Sequence, residues 1–375
     1  MPTDIQAIAA AVKKDGLPWT PKETSLTRLT TEEQRRHLGV IVDETEMQRL
    51  NAVAQQAAAR AQFGAPAVGA PAAIDWRNNG GNYVTPIKNQ GNCGSCVGHC
   101  SCAVIESAVR IKLGNPNYVI DLSEGFLQFC GGGSCGGWGL TSGLDFAQST
   151  GVTDEACMPY TAGGGADMNC GAARCADWQN RLTKISSYTN HATMADRKAA
   201  VAAGPVLAGM EVWSDFFAYG SDSGVYVKSS AATRLTPPGY HCVCIIGYDD
   251  AQQCWIIKNS WGTSWGEGGF GEAGGFMRMR YGQADLLIDT SWAFSSVVVQ
   301  IQAAWHSNVT VTQVFTSRDS QNGWAYFQGL GWRKIQTGAA DGVLNMLMLF
   351  AQAVAKGKKV TIYADGDFVY QAYLL

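Results

Sequence analysis

Apolar positions early in the chain recur at helical spacing, whereas those after residue 200 fall in short continuous runs. Thr31-Glu32-Glu33 opens a short helical stretch with a cap at Thr30 or Thr31. Residues 44–62 predict a second helix, with Met47, Leu50, Val53 and Ala57 or Ala58 on one side. The Gly/Pro/Ala stretch 63–73 reads as an exposed linker. A further helix begins near Cys96 and runs through Ile105, Glu106 and Val109. Strand-like runs follow at Val206–Val212, Cys242–Ile246 and Cys254–Ile257. Helices early and strands late between about 73 and 299 predict segregated halves, an α+β arrangement with a site between them. Beyond residue 300, Val309–Thr316 and Trp324–Ile335 read as strands, and Asp341–Lys356 as an amphipathic helix ended by Gly357. Residues 360–373 read as a hairpin turning at Asp365-Gly366. The pattern therefore divides the chain into 1–72, 73–299 and 300–375, the last a small α+β accessory unit. Its Trp324, Tyr326, Phe327 and Trp332 are divided between a small core and a binding face.

Composition narrows this picture. A length of 375 residues suits two or three domains. Charged residues are 16% of the chain and Gly numbers 44, which favours a loop-rich globular enzyme over a disordered or coiled-coil protein. A net charge of −3 supplies no basic field, so neither nucleic acid nor an anionic membrane is an expected partner. No run of eighteen apolar residues suggests a membrane span. The N-terminal Met1-Pro-Thr-Asp-Ile lacks the basic-then-apolar pattern of a signal peptide. Twelve cysteines are present, nine of them between Cys93 and Cys175. The spacings Cys130-x4-Cys135 and Cys170-x4-Cys175 admit a metal site, yet no His falls between His99 and His191. Disulfides in an oxidising, extracytoplasmic compartment are the expectation, with no metal and no cofactor.

One cysteine has the surroundings of a nucleophile. Cys96 closes the run Gln90-Gly-Asn-Cys-Gly-Ser-Cys, His241 lies in an apolar strand-like run, and Asn259 lies in Lys258-Asn-Ser-Trp-Gly262. A thiol attacks as thiolate, and a free thiol pKa of about 8.5 must be lowered. The start of a helix favours the negative charge, and an imidazole that takes the proton completes a thiolate–imidazolium pair. Asn259 would orient that imidazole through its other ring nitrogen. Gln90 would place a side-chain N–H beside the Cys96 backbone N–H, forming an oxyanion hole. Such a set performs thiol chemistry on an acyl group, with peptide-bond hydrolysis the leading expectation.

The same residues resemble the papain family of cysteine peptidases. The resemblance rests on Asp75-Trp-Arg77 through Gln90 to Glu106, on Tyr240-His241 through Gly247-Tyr248, and on Trp255 through Asn259-Ser-Trp261 to Trp265-Gly266. Leu122-Ser-Glu124 and Cys135-Gly-Gly137 add to it, so it covers about 225 residues. It implies a papain-like two-subdomain fold with a helical left half and a β-barrel-like right half. It further implies Cys96 as nucleophile, His241 as its partner, Asn259 as orienter, Gln90 as oxyanion donor and Trp261 as a shield over the His–Asn contact. Backbone near Gly136 and Gly137 would pair with a peptide substrate. Trp138, Leu140, Gly209, Tyr240 and Cys242 would line the pocket for the second side chain before the cut. Small Gly209 and Cys242 would leave room there, favouring bulky apolar or aromatic side chains over Arg. The implied bridges are Cys93–Cys135, Cys130 with Cys170 or Cys175, and Cys157 with the remaining one. Cys100, Cys102, Cys242, Cys244 and Cys254 are read as buried thiols, with a bond among them as the alternative.

Departures from the family pattern surround the nucleophile: Val97 replaces an aromatic, and Gly98-His99-Cys100 replaces Ala-Phe-Ser. His99 is expected to be a hydrogen-bonded core residue. No His follows Cys130 until His191, which favours endopeptidase over exopeptidase action. Residues 26–39 are similar to the C-terminal part of papain-family propeptides, without the long helical signature that usually precedes it. The expectation is a secreted, monomeric zymogen in which 1–72 is an intramolecular inhibitor and peptides or proteins are substrates. An acyl transferase or ligase with the same triad, and a non-catalytic binding homologue, are the competing readings.

Overall fold

A computed structural model of the chain describes residues 3–42, 48, 70–191, 193–281, 294–300, 304–316, 322–336, 340–365 and 368–375. The helix expected over 44–62 and most of the linker lie outside these residues. The chain forms two compact units, one of Met1–Ala108 with Ile120–Val298, the other of Val109–Val119 with Val299–Leu375.

The first unit opens with α1 (Ile5–Lys14), which the sequence reading did not include. Its signals are an Asp4 side chain that caps the first turn and buried Ile8, Ala11 and Val12 at helical spacing. Next comes α2 (Thr31–Arg35), where Thr30 and Glu33 form a reciprocal capping box. The chain then extends as β1 (Val40–Ile41). After β2 (Ala73–Asp75), the long α3 (Cys96–Lys112), the two-residue β3 (Trp138–Gly139) and α4 (Ser142–Ser149) build the helical half. Disulfides Cys93–Cys135, Cys130–Cys170 and Cys157–Cys175 tie its loops together. Cys96, Cys100, Cys102, Cys242, Cys244 and Cys254 are buried free thiols.

The other half is a sheet. Among the described residues it has nine strands: β2 above, β4 (Lys184–Asn190), β5 (Val206–Trp213), β6 (Val225–Tyr226), β7 (Arg234–Asp249), β8 (Cys254–Lys258), β9 (Glu267–Gly269), β10 (Glu272–Arg280) and β11 (Phe294–Gln300). The main path runs β4-β11-β5-β7-β8-β10-β6. β7 is far longer than the Cys242–Ile246 run that signalled it, because β5 pairs with it from Arg234 to Ile245 and β8 takes over from Cys244 to Asp249. Its core is unusual in composition: Ile8, Val12, Trp19 and Leu26 from the N-terminal segment pack with Met210, Phe216, Trp255 and Trp265 of the sheet half. Burying such side chains contributes roughly 1.5–3 kcal/mol each, so this segment is held by packing as well as by its strand.

The second unit is a closed five-stranded barrel of β12 (Ala304–Thr316), β13 (Gly323–Phe327), β14 (Gly331–Ile335), β15 (Lys359–Ala364) and β16 (Phe368–Leu374). α5 (Ala340–Lys356) stands between β14 and β15 in sequence and ends at Gly357, whose φ is 61°. The run read as a strand over 324–335 is instead a hairpin. Gly329 and Gly331 take φ of 82° and 78°, which bends the chain between β13 and β14. The barrel core is filled by inward residues such as Val311, Phe327, Phe350, Val360 and Val369.

Candidate active site

The loop before α3 is shaped to present a thiol. Gly91 has φ of 61° and lies so close to Gly163 that a Cβ there would be 2.4 Å from its carbonyl oxygen. Cys93 is bonded to Cys135, and the Gly94 N–H donates to the Cys135 carbonyl at 2.8 Å. Cys96 then stands at the first position of α3, fully buried. The Gly98 N–H one turn inward donates to Gln128 Oε1 at 3.1 Å. Val97 is buried and faces Gly143 at the start of α4. His99 is a hydrogen-bonded core residue: its Nδ1 lies 3.0 Å from the Ser95 carbonyl and its ring meets Tyr160 edge-on. Burial drives its pKa down to about 3, so it is neutral.

β7 carries His241 and the end of β8 leads into Asn259, two neighbouring strands whose pairing sets Cys244 opposite Lys258. The resulting contact is short, with His241 Nε2 2.7 Å from Asn259 Oδ1. The Ser260 N–H donates to that same oxygen at 2.8 Å, which identifies it as the acceptor. Nε2 therefore carries the proton, and Nδ1 of the neutral ring holds the free lone pair, buried without a protein partner. The Trp261 ring lies on the imidazole at 4.6 Å and is itself packed among Phe216, Phe217 and Trp265. The backbone of Cys242, the residue after His241, lies at the Cys96 thiol and brings α3 and β7 together. Below them, Lys258 Nζ donates to the Thr85 carbonyl at 2.7 Å, and Thr85 donates to Glu106 of α3. The two halves are thus joined by a buried polar bridge beside the site.

Gln90 is fully buried and fixed at both ends. Its Nε2 donates to the carbonyls of Cys93 at 2.8 Å and of His37 at 3.1 Å. Its Oε1 accepts from Ser260 Oγ at 2.7 Å, and Tyr160 donates to its backbone carbonyl at 2.8 Å. The sequence reading missed Ser260 and Tyr160 as supports. Ser260 was visible as the neighbour of Asn259, but only folding shows which way its hydroxyl turns.

The N-terminal segment fills the cleft. The His37 carbonyl also accepts from Trp261 Nε1 at 3.3 Å, and the Gly39 N–H reaches the Cys96 thiol. Trp138 N–H donates to the Gly39 carbonyl at 2.8 Å, and β1 continues parallel to β3 with Val40 opposite Trp138. Gly39 passes so near Gly94 that a Cβ would sit 1.8 Å from the Gly94 oxygen. Gly137 is equally close, its added Cβ falling 2.5 Å from the Gly39 oxygen. Gly136 adjoins this crossing and donates to Ser134 Oγ at 3.1 Å. Under this cover, burial pushes the Cys96 thiol up to about 12 and the His241 imidazole down to about 4. Both groups are neutral in the closed cleft.

Gly209 pairs with Cys242 across β5 and β7, and Leu140 fills the space above Gly209, where an added Cβ would meet Leu140 Cδ2 at 2.8 Å. Leu140, itself one of the expected lining residues, packs directly on Gly209. Tyr240 pairs with Glu211, one step along the same sheet face, and Glu211 is ion-paired with Arg234. This carboxylate was not among the sequence candidates.

The papain family cysteine protease model matches residues 70–294. The chain belongs to that family. Cysteine proteinase 1 of Entamoeba histolytica is 36% identical over 211 residues, which are 54% of this chain and 62% of that protein. Ananain of Ananas comosus is 35% identical over 206 residues (53% and 54%), and cathepsin K of Gallus gallus 33% over 213 (54% and 58%). The chain thus spans less than two thirds of the length of these relatives. Among solved structures, the fold is similar to procathepsin B S9 of Trypanosoma congolense, with a TM-score of 0.59, 18% identity and coverage of 79% of this chain and 97% of that one. Procathepsin L2 of Tenebrio molitor gives a TM-score of 0.55 at 24% identity, covering 78% and 88%. A papain-family fold is α+β, as the element pattern of residues 73–299 predicted.

Proposed function

We propose that the chain is the zymogen of a cysteine endopeptidase, with 1–72 as inhibitory propeptide, 73–299 as catalytic domain and 300–375 as accessory unit. The observation that carries the reading is a peptide carbonyl, that of His37, resting on the Gln90 donor in front of a buried thiol. The cleft therefore accepts extended peptide, and its hydrogen-bond donors are aimed at a carbonyl oxygen. In the inhibited state the segment through His37 and Gly39 covers the cleft in front of Cys96.

Once 1–72 leaves, water reaches the cleft and the penalty on charge falls. The Cys96 proton passes to His241 Nδ1, whose Nε2–H stays on Asn259. Sγ attacks the scissile carbonyl carbon, and the π electrons move to an oxygen held by Gln90 Nε2 and the Cys96 N–H. Collapse breaks the C–N bond, and the amine leaves with the proton from His241. The Cys96 thioester is then hydrolysed by water that gives its proton back to His241. Gly136, Gly137 and Trp138 hold the substrate backbone. Trp138, Leu140, Tyr240 and the Gly209–Cys242 wall receive the second side chain before the cut. Leu140 makes that pocket shallow and apolar, and Arg234 neutralises Glu211, so apolar side chains are preferred over Arg. Three disulfides support an oxidising, extracytoplasmic location.

A panel of fluorogenic peptides tests this directly. The processed chain is expected to cut those with an apolar second residue and to be labelled by a thiol-reactive epoxide, both lost in Cys96→Ala. Hydrolysis surviving in Cys96→Ala, or amide in place of acid as the main product when an amine is added, would overturn the reading.

A further inference from the structure

The second unit has an order that carries its own meaning. Its barrel closes as β12-β13-β14-β16-β15, with α5 between β14 and β15 in sequence. β14 and β16 pair in parallel, and the other neighbours pair antiparallel. This is the strand order of an OB-fold, an architecture that binds oligosaccharides and oligonucleotides on its second and third strands. Fold alone assigns no ligand, so the residues on those strands must decide.

Burial alternates strictly along β13 and β14. Ala325, Phe327, Arg333 and Ile335 point inward, while Trp324, Tyr326, Trp332 and Lys334 point outward. Tyr326 and Trp332 are paired across the strands, with ring centroids 5.6 Å apart and planes at 77°, and Trp332 is 41% exposed. Trp324 sits opposite Lys334, its indole N–H held by Asn322 Oδ1 at 2.8 Å. An apolar core would leave this face polar, yet three large aromatics stand on it.

Charge separates the two ligand classes. A polyanion is held by several cations, but this face presents Lys334, while Arg333 turns inward at 2% exposure and donates to the Asp365 carbonyl. No carboxylate side chain stands on the outward positions of the two strands. Flat aromatic rings bordered by amide and ammonium donors complement the C–H faces and hydroxyls of an uncharged sugar chain. We propose that the β13–β14 face is a binding site for a neutral oligosaccharide, centred on Tyr326 and Trp332. This goes beyond the peptidase reading and does not depend on it.

The test uses the full-length Cys96→Ala chain, titrated with cellohexaose, hexa-N-acetylchitohexaose and mannohexaose while tryptophan fluorescence is followed. At least one sugar is expected to saturate the signal. Trp332→Ala and Tyr326→Ala should each weaken that binding about tenfold or more. Trp332→Tyr should retain most of it, and Trp305→Ala, on β12, should leave it unchanged. Thermal unfolding of each variant separates loss of binding from loss of fold. The proposal is overturned if no hexasaccharide binds up to about 10 mM, or if the two alanine variants bind as before while folded. Binding of (dT)12 at physiological salt in preference to all three sugars, or self-association removed by Trp332→Ala, would overturn it equally.

Discussion

At the residue scale, the proposed mechanism rests on the Gln90 donor, whose aim depends on Ser260. The Ser260 hydroxyl holds Gln90 Oε1, which leaves Nε2 facing the cleft. Gln90→Ala removes a donor to the developing oxyanion and is expected to lower kcat of the processed enzyme by roughly 10²–10³. Ser260→Ala leaves the donor in place but unanchored, so its loss should be smaller, in kcat more than in KM. Steady-state kinetics on one apolar fluorogenic peptide checks both. Equal losses in the two variants would contradict a positioning role for Ser260. Gln90 was legible from its six-residue distance to Cys96, whereas Ser260 acts across a sequence separation of 170 residues. The same gap applies to the expected pocket: Gly209 and Leu140 were both named from sequence, but their direct packing on each other shows only in the fold.

Elements decide how the cleft is closed. Gly39 crosses Gly94 at a distance no side chain tolerates, and β1 then pairs with β3. Gly39→Val is expected to lift the crossing off the thiol, so that the unprocessed chain gains peptide hydrolysis and epoxide labelling at Cys96. The N-terminal segment would stay docked, because Trp19 is buried among Tyr219 and Tyr226 and its indole N–H donates to the Val227 carbonyl at 2.8 Å. A Gly39→Val precursor as inert as the parent, measured before any processing, would refute this role. The capping box of α2 was readable because its two partners are three residues apart. By contrast, α1 escaped notice although its cap and apolar spacing were present, since much of what steadies it is the sheet core it packs on.

Across the whole molecule, burial sets the response to acid. His99 and His241 are depressed to about 3 and about 4, and His37 is also lowered, in each case first by burial. Unfolding exposes these rings and returns them to about 6.5. The unfolded chain then binds more protons below that value, so their contribution to stability is present above pH of about 6.5 and is lost as pH falls toward 4. The melting temperature of the Cys96→Ala precursor should therefore drop across this window, and His37→Gln should flatten the drop. An unchanged slope in His37→Gln would remove that imidazole from the explanation.

Local pattern sufficed for much of this protein. Periodicity set out the helical and strand halves, and the separate module from 300 onward. The contexts of Cys96, His241, Asn259 and Gln90 pointed to one chemistry, because each depends on neighbours a few residues away. Tertiary structure alone decided that Cys130 joins Cys170 and Cys157 joins Cys175, since equal spacing in sequence does not set which thiols meet. It also decided that Gly329 and Gly331 split a strand, that the barrel closes in its particular order, and that Gly39 lies beside the Cys96 thiol. Those features depend on long-range packing and pairing, where the free energy belongs to surfaces brought together and not to any stretch of chain.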